Sequence, residues 1–184
     1  IESMAKNTKL KFPVMISDCT DPYQPLEREH EITRKCVEAL AKHGFPILIV
    51  TKSDLVTRDT HLFKRTPAVI SVSITTPRED VAQFIDPYAP SPERRLSALQ
   101  SLANQSIVTV ARIDPIIPTV NDHEEDLEKL VATLSDIGVK QVTAATMKPV
   151  KGFFSYLKSL NPQLHENLLR IYAQGEYIMC YKYL

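Results

Sequence analysis

The chain has 184 residues, 43% of them hydrophobic, and its 22 lysines and arginines balance 22 aspartates and glutamates. That is enough apolar content for one substantial core, and the balanced charge leaves no overall footprint for nonspecific binding to nucleic acid or a membrane surface. No apolar run approaches the roughly 20 residues of a membrane span, and the N-terminal stretch lacks a signal-peptide core, so a soluble, cytoplasmic protein is expected.

The sequence starts at Ile1 rather than methionine and its last strand-like run stops at Tyr183-Leu184, so both ends read as cut. Val14-Met15-Ile16 reads as a first strand that gives way to the polar tract Ser17 to Glu27. Pro22 and Pro25 fix the path of that tract, which should be a rigid shelf. It either presents Asp18, Asp21, Tyr23 or Gln24 to a pocket or simply connects strand to helix. A helix begins near Leu26, places Ile32, Cys36, Val37 and Leu40 on one face and ends at Gly44.

Ile47-Leu48-Ile49-Val50 forms a second strand ending in Thr51-Lys52, and a shorter helix is expected over residues 54–64. Val69-Ile70-Ser71-Val72 forms a third, ending in Ser73-Ile74-Thr75-Thr76. The next helix, residues 92–103, starts with Ser91 as cap and Pro92 at its first position, with Leu96, Leu99 and Leu102 inward. The fourth strand, residues 107–111, ends in Arg112-Ile113-Asp114. A helix over residues 123–137 carries Glu124 and Glu125 at its positive end and Leu127, Leu130, Val131 and Leu134 inward. The fifth strand, Val142-Thr143-Ala144-Ala145, precedes a helical tail broken at Asn161-Pro162 and a last strand from Tyr177 to Leu184.

Alternating strands and helices predict an α/β fold with a parallel sheet and right-handed crossovers, either doubly wound or curled into a full or partial barrel. In both, chemistry sits where strands end, so the five polar strand ends should converge on one pocket.

Several chemistries are excluded. The four glycines assemble neither GxGxxG nor GxxxxGK[ST], the five histidines show no HExxH, and no GxSxG elbow occurs. Cys19, Cys36 and Cys180 are odd in number, contain no CxxC pair and fit neither a disulfide framework nor a zinc knuckle. Cys36 and Cys180 read as small buried hydrophobes, whereas Cys19 sits where it could line the pocket. The remaining set is Lys52 with the hydroxyls of Ser17, Ser73 and Thr75, which suits a carboxylate through charge-assisted hydrogen bonds. The alternative is a solvated lysine and hydroxyls that merely cap the following helices.

Five blocks in order carry a resemblance: SDCTDPYQPLE from Ser17, TKSDLV from Thr51, SVSITT from Ser71, APSPERRL from Ala89 and DPIIPTVND from Asp114. Over residues 13–148 the chain resembles the radical S-adenosylmethionine (SAM) enzymes, specifically the spore photoproduct lyase-like group, also labelled DNA repair photolyase. The resemblance implies a partial, TIM-like six-stranded barrel, incomplete at its N-terminus, that holds SAM beside a [4Fe-4S] cluster. It also implies reductive cleavage of SAM to a 5′-deoxyadenosyl radical. By position, Lys52 would pair with the methionyl carboxylate, Ser73 would bond the same cofactor and Ser17 would be a third contact. Thr75 and Arg112 are further candidates, with Asp114 orienting Arg112.

The CxxxCxxC motif that binds the cluster in this family is absent from the 184 residues. The family places it upstream of the first matching block, so its ligands are expected before Ile1, and the chain alone should be inactive. The whole is expected to be one domain, residues 1–184, with a helix and strand tail from about residue 150. The resemblance further implies a damaged nucleic-acid substrate and a reducing partner such as flavodoxin or ferredoxin. Tyr23, Cys19 and Tyr156 are candidates for hydrogen transfer. The competing expectation is a noncatalytic barrel protein that binds a nucleotide or carboxylated metabolite without a cluster.

Overall fold

Strand order resolves the winding that periodicity leaves open. The computed structural model describes residues 1–17, 20–178 and 181–182. Its main sheet contains β1 (Val14–Ile16), β2 (Ile47–Thr51), β3 (Ala68–Ser73), β4 (Val108–Ile116) and β5 (Gln141–Thr146). They pair in chain order and every pair is parallel. A doubly wound sheet reverses its order at a switch point. Here each strand lies beside its predecessor, so right-handed crossovers place the intervening helices on one face and the sheet forms part of a barrel.

The register gives each face a composition. One row joins Ile16, Ile49, Ile70 and Thr109, and the next joins Thr51, Val72 and Ala111. Side chains of a strand alternate in direction, so both rows lie on the same face. That face meets Val37 and Leu40 of α3 (Ile32–Lys42), Leu99 and Leu102 of α6 (Pro92–Asn104), and Leu130 and Leu134 of α7 (Glu124–Asp136). Burying a leucine or isoleucine side chain there stabilises the fold by about 1.5 to 3 kcal/mol. On the opposite face the registered rows are Val50, Ser71, Val110 and Gln141, then Ser73, Arg112 and Thr143. This second face is the concave interior of the partial barrel.

Other elements show where tertiary context overrode local pattern. Helix α3 is separated from α2 (Glu27–His30) by Glu31, whose φ of 51° lies in the left-handed region. Ile32 consequently leaves the inward face and is 63% exposed. Val131 of α7, expected inward, is 45% exposed. The segment expected as one helix over residues 54–64 is a 3₁₀ turn, Asp54–Asp59, running into α4 (Thr60–Phe63). Two helices escaped the sequence reading, α1 (Glu2–Asn7) and α5 (Glu79–Ile85), each too short to show a clear apolar period.

The tail packs on itself. In α8 (Phe153–Leu160) and α9 (Pro162–Ile171), Leu157, Leu168 and nearby Tyr172 bury against Ile117, Met147, Phe154 and Leu164. Asn161 interrupts the two helices and accepts the Leu164 amide at 3.0 Å. The expected last strand is instead antiparallel, Tyr177–Ile178 (β6) against Tyr181–Lys182 (β7), so it does not extend the main sheet. Among the described residues that sheet therefore has five strands where the resemblance implies six. No helix among them is long and apolar enough to cross a membrane.

Candidate functional site

Two neighbouring cavities lie at the carboxyl end of β2. A smaller one, about 250 Å³, is lined by Ser17, Thr20, Asp21, Val50, Thr51, Lys52 and Ser73. A larger one, about 630 Å³, lies on the other side of Lys52, where Tyr23, Gln24, Arg28, Asp86, Tyr88 and Arg94 contribute to its wall. Lys52 belongs to both walls. Three sequence-selected residues, Ser17, Lys52 and Ser73, thus meet at one cavity.

Each is positioned by its strand end. Ser17 follows β1 with a φ of 120°, a backbone state that non-glycine residues rarely adopt and that is concentrated at functional sites. Asp21 fixes the exit of β2, because Thr51 Oγ1 and the Lys52 amide both donate to its carboxylate at 2.6 Å. A third bond, from the Tyr23 amide at 2.8 Å, completes the turn. Asp21 therefore builds the shelf, its carboxylate occupied by three donors. Ser73, the last residue of β3, is 6% exposed and stands in register with Arg112, whose neighbour across β5 is Thr143. Thr51 pairs with Val72, so Lys52 continues the register to Ser73. The result is a polar row, Lys52, Ser73, Arg112 and Thr143, across four strands of the interior face, at the ends of β2 and β3 and within β4 and β5.

Arg112 and Thr75 line neither cavity. Arg112 is held by its own strand, donating to Asp114 at 2.5 Å. Thr75 is 2% exposed, and its carbonyl accepts from Asn121 Nδ2 at 2.9 Å. The Thr143 hydroxyl is buried and finds no hydrogen-bond partner among the described residues. Thr143 was not among the sequence candidates.

Asp86 and Arg95 were missed as well. Lys52 Nζ lies 2.5 Å from Asp86 Oδ1, the residue that ends α5. Asp86 Oδ2 lies 3.6 Å from Arg95 Nη1. Arg95 is 2% exposed and donates to the carbonyls of Pro90 at 2.6 Å and Ser73 at 3.1 Å. Burial lowers its pKa, and the Asp86 carboxylate opposes that shift. For Arg95 the signal lay in the APSPERRL block, but two adjacent helix arginines, Arg94 and Arg95, give no hint of their partners.

Tyr23 is not a free phenol. It is 2% exposed and donates to Asp59 Oδ2 at 3.0 Å, while Arg58 grips Asp59 from Nε and Nη2 at 2.9 and 3.0 Å. Burial pushes the Tyr23 pKa strongly upward, and the Asp59 charge adds to it. Glu27 accepts the amides of Thr33 and Arg34 and one Arg58 nitrogen, at 2.9, 3.1 and 3.1 Å. Burial disfavours its ionised form, but those donors prevail and its pKa falls below the ordinary carboxylate value. Tyr156 is 65% exposed in the tail and lines neither cavity. Cys36 is partly buried, which raises its thiol pKa. Asp18, Cys19 and Cys180 lie outside the described residues.

The donors at the smaller cavity match a carboxylate: the Lys52 ammonium and the hydroxyls of Ser17, Thr20 and Ser73, with the Thr51 hydroxyl committed to Asp21. A metal cluster is not matched, because no group of three histidines, cysteines or acidic residues among the described residues could hold a metal ion.

No protein-family model matches the chain. An uncharacterized protein of Methanocaldococcus jannaschii is 34% identical over 125 residues, covering 67% of this chain and 48% of that protein. A protein of Pseudomonas phage M6 named radical SAM Nalpha-GlyT isomerase is 23% identical over 167 residues, covering 90% of this chain and 34% of that protein. Among solved structures, a spore photoproduct lyase variant superposes with a TM-score of 0.72 at 16% identity, covering all of this chain and 56% of that one. The chain spans about half the length of the first curated relatives it matches. The fold is that of spore photoproduct lyase, as the five sequence blocks imply.

Proposed function

We propose that this chain is the SAM-binding part of a radical SAM enzyme of the spore photoproduct lyase-like group. One observation carries the reading: Ser17, Lys52 and Ser73 gather around one cavity at the strand ends of a parallel partial barrel. A solved spore photoproduct lyase of the same fold holds AdoMet, the same cofactor, together with a dinucleoside spore photoproduct.

In this reading Lys52 takes the methionyl carboxylate, and Ser17 and Ser73 donate hydroxyl hydrogen bonds beside it. Arg112, held by Asp114, and Thr143 face the ribose farther along the row. Thr75, buried under the same rim, keeps the β3 exit in place through its bond to Asn121. When bound, the cofactor and a [4Fe-4S] cluster supply the reductive chemistry that yields a 5′-deoxyadenosyl radical. The cluster ligands are proposed to come from outside residues 1–184. The chain's own task is to hold the cofactor and exclude water from the interior face. The proposed substrate is a damaged nucleic acid, and the proposed electron donor is a flavodoxin or ferredoxin.

The test is an anaerobic assay of the full-length protein, reconstituted with iron and sulfide, reduced and given SAM. 5′-Deoxyadenosine is the expected product. A protein that binds neither cluster nor SAM and forms no product would instead be a noncatalytic binding barrel.

A further inference from the structure

Lys52 is the residue on which the cofactor reading turns, yet it is already engaged by a carboxylate of its own chain. Its ammonium lies 2.5 Å from Asp86, and the two side chains are 37% and 14% exposed. Either Asp86 occupies the site and must leave when a ligand carboxylate arrives, or it stays and holds the ammonium for that ligand.

The surroundings of Asp86 separate these cases. If Lys52 left it, the mostly buried carboxylate would keep, among the described residues, only Arg95 at 3.6 Å, beyond ordinary hydrogen-bond reach, and stranding a buried charge is unfavourable. Lys52 has three donors, and among the described residues Asp86 accepts one of them, which leaves two for another acceptor. A lysine side chain also loses much rotamer freedom when it must be fixed at the moment of binding, and an ion pair that fixes it beforehand removes that loss. Arg95 ties the arrangement together. Its guanidinium is buried, bonds the Ser73 carbonyl and the Pro90 carbonyl, and so clamps the turn that begins at Asp86 against the end of β3.

We infer that Asp86, backed by buried Arg95, is a positioning residue that sets the Lys52 ammonium for the carboxylate of an amino-acid ligand. The proposal rests on the SAM reading above for the identity of that ligand. Asp86 does not touch the cofactor; it acts through Lys52.

The experiment is calorimetric titration of the full-length protein, cluster reconstituted and kept oxidised, with SAM and with decarboxylated SAM. Asp86→Asn should weaken SAM by about tenfold, the scale of one charge-assisted bond, and leave decarboxylated SAM within about twofold. Asp86→Glu should recover part of the loss. A general packing defect would weaken both ligands alike, and that result overturns the proposal. Tighter binding of SAM by Asp86→Asn also overturns it, because Asp86 would then be a competitor for Lys52. If the unsubstituted protein binds neither ligand, the SAM reading falls and this proposal falls with it. Thermal unfolding of each variant checks that it folds, and Arg95→Lys provides a second route, expected to reproduce the selective loss of SAM.

Discussion

Two polar clusters flank the shelf, and they differ in what their charges have left to offer. Around Asp59, which is fully buried, Tyr23, Arg58 and Glu27 form a closed set, with the amides of Thr33 and Arg34 on the Glu27 carboxylate. Along the interior face, Lys52, Ser73, Arg112 and Thr143 are only partly engaged, with a lysine 37% exposed and a buried hydroxyl that has no described partner. Both use charges and hydroxyls, the first from the shelf and the 3₁₀ turn, the second from the strands. What separates scaffold from site is therefore the number of donors left over rather than residue type.

The largest effect should come from opening the closed cluster. Asp59→Ala removes the acceptor of the Tyr23 hydroxyl and leaves Arg58 poorly compensated. Breaking a buried ion pair from one side costs about 3 to 5 kcal/mol. Urea denaturation should show that loss, and a change below about 1 kcal/mol would erase the distinction drawn between the two clusters. Lys52→Ala is the counterpart. Its effect on stability should be smaller, about 1 to 2 kcal/mol, because Lys52 is partly exposed although its loss strands Asp86, while SAM binding weakens by about 1.5 to 3 kcal/mol. Unchanged SAM affinity in calorimetry would remove Lys52 from the site.

The sequence made the open cluster easier to read than the closed one. Ser17, Lys52 and Ser73 each follow an apolar run, and parallel strands bring such ends together without further information. Tyr23 and Asp59 are separated by 36 positions, and nothing local announces that a phenol in the shelf meets a carboxylate at the end of a 3₁₀ turn. Asp86 was hidden for the same reason, since its partner Lys52 lies 34 positions away. The strand order was not readable either, because periodicity reports which face of a strand is buried and says nothing about its neighbour. Ile32 shows a subtler failure: the helical period was right, but the left-handed Glu31 reset its phase.

A smaller effect concerns pH and again distinguishes the clusters. Glu27 has its pKa lowered in the folded state, because backbone amides and Arg58 outweigh burial. Its contribution to stability is fully present above the unfolded-state pKa, about 4.3, and is lost as pH falls through the folded value. Denaturant midpoints should therefore decline below about pH 4. Glu27→Gln should flatten that decline, and an equally steep acid limb in the variant would assign it to other carboxylates.

The smallest effect uses two hydroxyls on opposite faces of the sheet. Thr109 and Thr143 both carry buried hydroxyls with no partner among the described residues. Thr109 is fully buried in the row of Ile49 and Ile70, against the helices, whereas Thr143 stands in the row of Ser73 and Arg112 on the interior face. A buried hydroxyl without a partner is unfavourable by about 1 to 3 kcal/mol, and valine has nearly the same shape. Thr109→Val should therefore raise stability by about 1 kcal/mol and leave SAM binding unaltered. Thr143→Val should raise stability comparably but weaken SAM binding by about 0.5 to 1.5 kcal/mol, because in the proposed site its hydroxyl meets a ligand group. Two substitutions of identical chemistry would then differ only in binding. If both variants bind SAM like the parent, the row ends at Arg112, and Thr143 belongs with Thr109 as part of the scaffold.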